Sequence, residues 1–198
     1  MVDAGIGRLL IASLHQGIAD VAPTRLDFYE NWLSPTGLRD GRMGLAPLGA
    51  VLSFLHREPP PADHDIPDHA GTCAAEWCHD GVSGLRKGMT RRLPIGWRTR
   101  SGLKLGRALA LETISQSKVT WRLRRGRATV EIRSPIFQYL RHPSSEPMRR
   151  FYASAFRECL RLCDVDATVR VSESTESCTL EVEVLGPRIR SQSLLDAA

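Results

Sequence analysis

Apolar positions change their spacing once along this chain, from a period near 3.6 residues to a period of 2, and that change predicts its architecture. Over residues 6–21, Ile6, Leu9, Leu10, Leu14, Ile18 and Val21 recur at three- and four-residue intervals, which is one buried face of a helix. Pro23 suits the first turn of a second helix, because its missing N–H would be unpaired there; Leu26, Tyr29 and Leu33 form the stripe, and Ser34 and Pro35 end it. After a turn at Gly41, a third helix is expected from Leu45 to Leu55, with Leu48, Val51, Leu52 and Leu55 inward. Pro59, Pro60 and Pro61 then read as a short rigid linker. A fourth helix is expected over His69 to Met89, carrying Cys73, Trp77 and Val82, with Gly81, Gly84 and Gly88 weakening its later turns. Ser101 stands where an N-cap would open a fifth, bearing Leu103, Leu109, Ala110 and Ile114.

From Val119 the pattern alternates. Val119, Trp121 and Leu123 face one way and Thr120, Arg122 and Arg124 the other. Beyond a turn at Arg125 and Gly126, Ala128, Val130 and Ile132 alternate with Thr129, Glu131 and Arg133. A helix is predicted from about Glu146 to Cys163, entered through Ser145 and Pro147. Met148, Phe151, Ala155, Cys159 and Leu162 lie on one face of it, widened by Tyr152 and Phe156. A second hairpin follows: Ala167, Val169 and Val171, then Cys178, Leu180, Val182 and Val184, each set alternating with polar residues. The expected fold is α+β, with N-terminal helices followed by an antiparallel sheet of two β-hairpins separated by a helix.

Composition adds limits. At 198 residues with 42% hydrophobic and 25% charged residues, the chain can bury one substantial core. No apolar run reaches the roughly 20 residues of a membrane-crossing helix, and the start of the chain lacks signal-peptide features, so the expected location is the cytoplasm. Five cysteines, Cys73, Cys78, Cys159, Cys163 and Cys178, suit reduced thiols packed in a core. The net charge of +5 is unevenly spread, since between Arg86 and Arg133 the only acids are Glu112 and Glu131. Such a block predicts a field that attracts carboxylates, phosphates or an acidic partner; a solvated basic face is the alternative reading. Nucleic acid is disfavoured, because only Trp97 and Trp121 interleave with the basic residues and Trp121 falls on the apolar face of its strand.

The sequence carries no nucleophile elbow, zinc-protease helix, Walker loop or dinucleotide fingerprint, so no catalytic residue is assigned. His64, His69, Cys73, Cys78 and His79 form the densest set of metal-capable side chains. His69 and Cys73 lie four residues apart and share a helix face, as two ligands of zinc or a similar metal would. Cys73 and Cys78 diverge at five residues apart, and a half-buried Cys among surface histidines is the competing reading. Trp121, Phe137, Phe151, Tyr152 and Phe156 can line an apolar pocket between helices and sheet, with Arg98 and Arg100 at its mouth. The same aromatics are equally what a closed core requires.

Four segments carry a resemblance to a known family. They are Ser134 to Phe137 after the first hairpin, Phe151 to Ser154 opening the helix, Val169 to Glu173, and Cys178 to Val182. Together they resemble the 4-vinyl reductase domain family, which shares its fold with subunits of the TRAPP vesicle-tethering complex; Gly41, Arg42 and Met43 resemble the segment that opens the domain. Where members often carry a Cys before the aromatic pair and another beside the strand-ending Glu, this chain has Met148, Arg149 and Arg150, and Ser174 and Thr175. The resemblance implies an N-terminal helical extension (1–40), a ligand-binding domain (41–186) and a C-terminal tail (187–198). It also implies a non-catalytic binder, often dimeric, of a hydrophobic small molecule, either tetrapyrrole-like or an acyl chain. The alternatives are an assembly or scaffold protein that binds another polypeptide, and an enzyme or accessory factor of tetrapyrrole (bacteriochlorophyll) biosynthesis.

Overall fold

A computed structural model describes residues 5–30, 32–33, 44–84, 88, 90, 92–140, 143–172 and 177–188. The helix stop at Ser34 and Pro35, the segment Gly41 to Met43, Met89, Glu173 to Thr175 and the tail from residue 189 lie outside the described residues.

The first half is helical: α1 (Arg8–Val21), a 3-10 turn (Pro23–Arg25), α2 (Leu26–Glu30), α3 (Leu45–Leu55), α4 (Ala62–Asp80) and α5 (Ile95–Thr113). Then come β1 (Lys118–Arg124), β2 (Arg127–Arg133), α6 (Pro135–Tyr139), α7 (Glu146–Leu162), β3 (Val165–Ser172) and β4 (Cys178–Pro187). The α+β architecture is the one expected, with three differences in its elements. α4 starts at Ala62 rather than His69, directly after Pro61. Asp63 and Asp65 in its first turn suit the helix dipole, and Pro67 is accommodated inside it. It ends at Asp80, so Val82 is not part of it. α5 starts at Ile95, six residues before Ser101, because Pro94 is already extended and its carbonyl accepts the N–H groups of Trp97 and Arg98. The short α6, opened by Pro135, carries too few residues for a periodic signal.

The four strands form one antiparallel sheet in the order β1-β2-β4-β3, so the two hairpins join along β2 and β4. The first hairpin turns at Arg125 and Gly126, both with positive φ (46° and 78°), a backbone whose twist matches that of the flanking strands. Val130 pairs with both Trp121 and Leu180, continuing the apolar face across the sheet. The opposite face, with Thr120, Arg122, Thr129, Glu181, Glu183 and Arg170, is exposed.

α7 packs against β3 and is flanked by α4 and α5, while α1 lies against α4. A single buried cluster runs from Ile6, Leu10, Leu14 and Ile18 of the amino-terminal segment to Val130, Ile132, Leu180 and Val182 of the sheet. Ile6, Leu10, Leu14, Ile18, Tyr29 and Leu33, within the stretch read from the sequence as an extension, thus belong to the same core. A further link is the bridge between Ile6 and Ile114, where Gly7 donates to the Thr113 carbonyl at 2.8 Å. No helix among the described residues is long and apolar enough to cross a membrane.

Candidate functional site

The predicted pocket aromatics are packed against protein. Phe151, Tyr152 and Phe156 are 0% exposed and Phe137 is 1% exposed, so these side chains fill the core among the described residues. Phe137 and Phe151 lie against the Tyr152 ring at centroid distances of 6.3 and 5.5 Å, and the Tyr152 hydroxyl shares a 2.9 Å hydrogen bond with Thr113 Oγ1. Phe156 presses on α5 at Gly106, where a Cβ would come within 2.6 Å of its ring. Trp121, half-buried on β1, packs against the same core cluster. Buried beside them is Arg149. Its guanidinium lies 5.1 Å from the Phe137 ring centroid and donates to the Ser177 carbonyl at 2.9 Å. Burial pushes the neighbouring Cys178 thiol up to about 12, even though Arg149 pulls it the other way.

Open space lies instead at the carboxyl-terminal end of α7. A groove of about 700 Å³ runs between that end and the open end of the β3–β4 hairpin, where β3 begins and β4 finishes. Val165, Ala167, Leu185 and Pro187 supply its apolar lining, Arg157, Arg161 and Arg188 its positive charge, and Asp166 a single carboxylate. Arg161 is engaged by Glu158 and, at 3.5 Å, by Glu76. Of the two predicted arginines, Arg98 reaches the same corner: its Nη1 donates to the Asp164 carbonyl at 3.3 Å, and that carbonyl also accepts the Arg188 N–H. Arg100 is elsewhere, with its guanidinium 5.7 Å from the Trp97 ring centroid. Arg157 and Arg161 were legible as a pair only through their i, i+4 spacing on the polar side of α7; that a groove forms there depends on how β3 leaves the helix.

A second concavity, of about 780 Å³, lies over β1 and β2 and is lined by Lys118, Thr120, Trp121, Arg122, Thr129, Glu131 and Arg133. Its charge is partly balanced internally, because Arg133 Nε donates to Glu131 at 2.7 Å. Lys118, Arg122 and Arg133 of the basic block therefore lie over the β1–β2 hairpin.

His69 and Cys73 do share a face of α4, and the fold adds a third donor to them. Asp20, in the last turn of α1, places a carboxylate oxygen so that the three ligand atoms lie within 4.8 Å of one another. Asp20 Oδ2 is 2.8 Å from His69 Nε2 and also accepts from Gln16 Nε2, as does Oδ1, at 3.0 and 2.9 Å. His64 lies beside Asp63 at 3.5 Å. Cys159 and Cys163 face the core, where burial raises both thiols, Cys163 to about 11. Asp20 could not be read from the chain, since it comes near His69 only through the packing of α1 on α4.

The fold and these surfaces define an α+β protein with basic, partly apolar grooves. Compared with known families, the chain matches no family model, and no curated protein matches it.

Proposed function

We propose that this chain is a 4-vinyl-reductase-like, non-catalytic binding protein for a hydrophobic small molecule that carries a carboxylate or similar anion, either tetrapyrrole-like or an acyl chain. The observation that carries this reading is the groove at the end of α7. Its volume is in the range of small-molecule sites, and it combines an apolar lining with guanidinium groups from Arg157, Arg161 and Arg188. Arginine forks bind carboxylates through paired hydrogen bonds, and apolar walls bury the body of such a ligand. The two-hairpin sheet covered by α7 supports the family part of the reading. The closed aromatic core argues for a surface groove and against a pocket beneath the sheet.

Titration of the full chain with a long-chain fatty acid, its methyl ester and a porphyrin dicarboxylate tests this. The acid or the porphyrin is expected to saturate one site, with the ester bound about tenfold or more weakly, because a hydrogen bond to a charged group is worth roughly 1.5–3 kcal/mol. Arg157→Ala is expected to weaken the acid to a similar degree. Equal binding of acid and ester, or no saturable binding of either anion, would overturn the proposal.

A second reading, attachment to another polypeptide or a second copy, is favoured by one observation. Phe28 and Trp32 remain 42% and 39% exposed while packing edge-on and tilted against Phe54, at centroid distances of 5.1 and 5.6 Å. Native mass spectrometry of the purified chain separates the two, since this reading expects a higher-mass complex without a retained small molecule.

A further inference from the structure

The geometry points to a divalent transition-metal site formed by Asp20 of α1 with His69 and Cys73 of α4, taking zinc or a metal of similar preference. This site is separate from the groove and does not depend on its ligand.

Position is the first argument. Histidine and cysteine four residues apart project side by side from a helix, so His69 and Cys73 present a nitrogen and a sulfur to the same point. Asp20 is brought to that point by an unusually close helix crossing. A Cβ at Gly17 would lie 2.8 Å from the Ile66 carbonyl and 3.1 Å from the Ala70 Cβ, so the backbones of α1 and α4 touch one turn away from the cluster. The two helices share one buried core, which holds the donors' backbones in place before any ligand arrives.

Chemistry is the second. One oxygen, one nitrogen and one sulfur form a mixed set that suits zinc and its neighbours and is wrong for calcium or magnesium, which take oxygen. Bond lengths of about 2.0–2.3 Å place tetrahedral ligands roughly 3.3–3.7 Å apart. The three atoms lie within 4.8 Å of one another, so the widest pair closes by about an ångström, within the reach of side-chain rotation. Asp20 and His69, now hydrogen-bonded at 2.8 Å, open slightly to admit an ion between them.

Surroundings are the third. Gln16 donates to both Asp20 oxygens and so fixes the carboxylate plane, the part that outer partners play at metal sites. Cys73 is nearly buried while Asp20 is exposed, which gives the site an anchored sulfur and a fourth position open to water.

The test uses the full chain, stripped with chelator and titrated with cobalt(II) and then zinc(II). The expected result is one cobalt per chain with a thiolate-to-cobalt charge-transfer band, displaced by stoichiometric zinc, and slower alkylation of Cys73 when zinc is present. Cys73→Ser is expected to abolish the band. Asp20→Asn, at an exposed position that leaves the core intact, is expected to weaken cobalt about tenfold or more, and Cys78→Ser to leave binding unchanged. If no thiolate band forms, if the band survives in Cys73→Ser, or if Asp20→Asn binds cobalt as tightly as the parent, the site does not exist as described and the Asp20–His69 contact is only a hydrogen bond between helices.

Discussion

Gly71 shows how much can depend on one absent methyl group. A Cβ there would sit 2.1 Å from Ser154 Oγ and 2.3 Å from the Phe151 carbonyl, so α4 and α7 meet backbone to backbone. Alanine is the better helix former by about 1 kcal/mol. The collision with a carbonyl that cannot rotate away outweighs that gain. Gly71→Ala is expected to destabilise the fold by about 1–3 kcal/mol in urea denaturation. Adding Ser154→Ala removes the hydroxyl clash but not the carbonyl clash, so it is not expected to restore stability. Sequence reading could not separate this glycine from the helix-weakening ones, because its neighbours are residues 80 or more positions away. The aromatic residues illustrate the same limit. Phe151, Tyr152 and Phe156 were legible as inward-facing from their spacing, but whether they enclose a space or fill it depends on shapes contributed by α5 and α6.

At the scale of elements, local rules did well where the period was long and consistent. α1, α3, α7 and all four strands follow their apolar patterns, and the hairpin turn at Arg125 and Gly126 was visible as punctuation. Arg125 occupies a positive φ of 46°, which most side chains avoid and asparagine tolerates. Arg125→Asn is therefore expected to raise stability by about 0.5–1 kcal/mol, measured as an increased denaturant midpoint with unchanged slope. A lower midpoint would mean that the arginine side chain stabilises the turn in some other way. Where local signals competed, the strongest-looking one misled. Ser101 is a good capping residue, yet the extended Pro94 lets α5 begin six residues earlier. The proline run at 59–61 lies between the end of α3 at Leu55 and the start of α4 at Ala62, and Pro61 is the N-cap of α4.

Across the described part of the molecule, five buried thiols and phenols shift in one direction. Removal from water raises Tyr29, Tyr152, Cys159, Cys163 and Cys178, with Cys163 reaching about 11 and Cys178 about 12. In the unfolded chain thiols lose their protons near 8.5 and phenols near 10, so above about pH 8.5 the unfolded state binds fewer protons than the folded one. The stability these groups contribute is complete below that pH and is lost as pH rises through the folded-state values. A series of urea midpoints from neutral pH upward is expected to fall progressively beyond about pH 9. A flat profile would show that these groups are not shielded from solvent in solution.

Periodicity alone determined the kind and order of most elements, because the side-chain direction of a helix or strand is a local property of the backbone. From that followed the α+β class, the two hairpins and the identity of the inward faces. Tertiary packing decided the rest: that the aromatics close on one another, that Arg157, Arg161 and Arg188 gather around an apolar groove, and that Asp20 meets His69 and Cys73. Each of these depends on distances between segments remote in the chain, which are set by how helices and sheet fit together and leave no trace in the spacing of neighbouring residues.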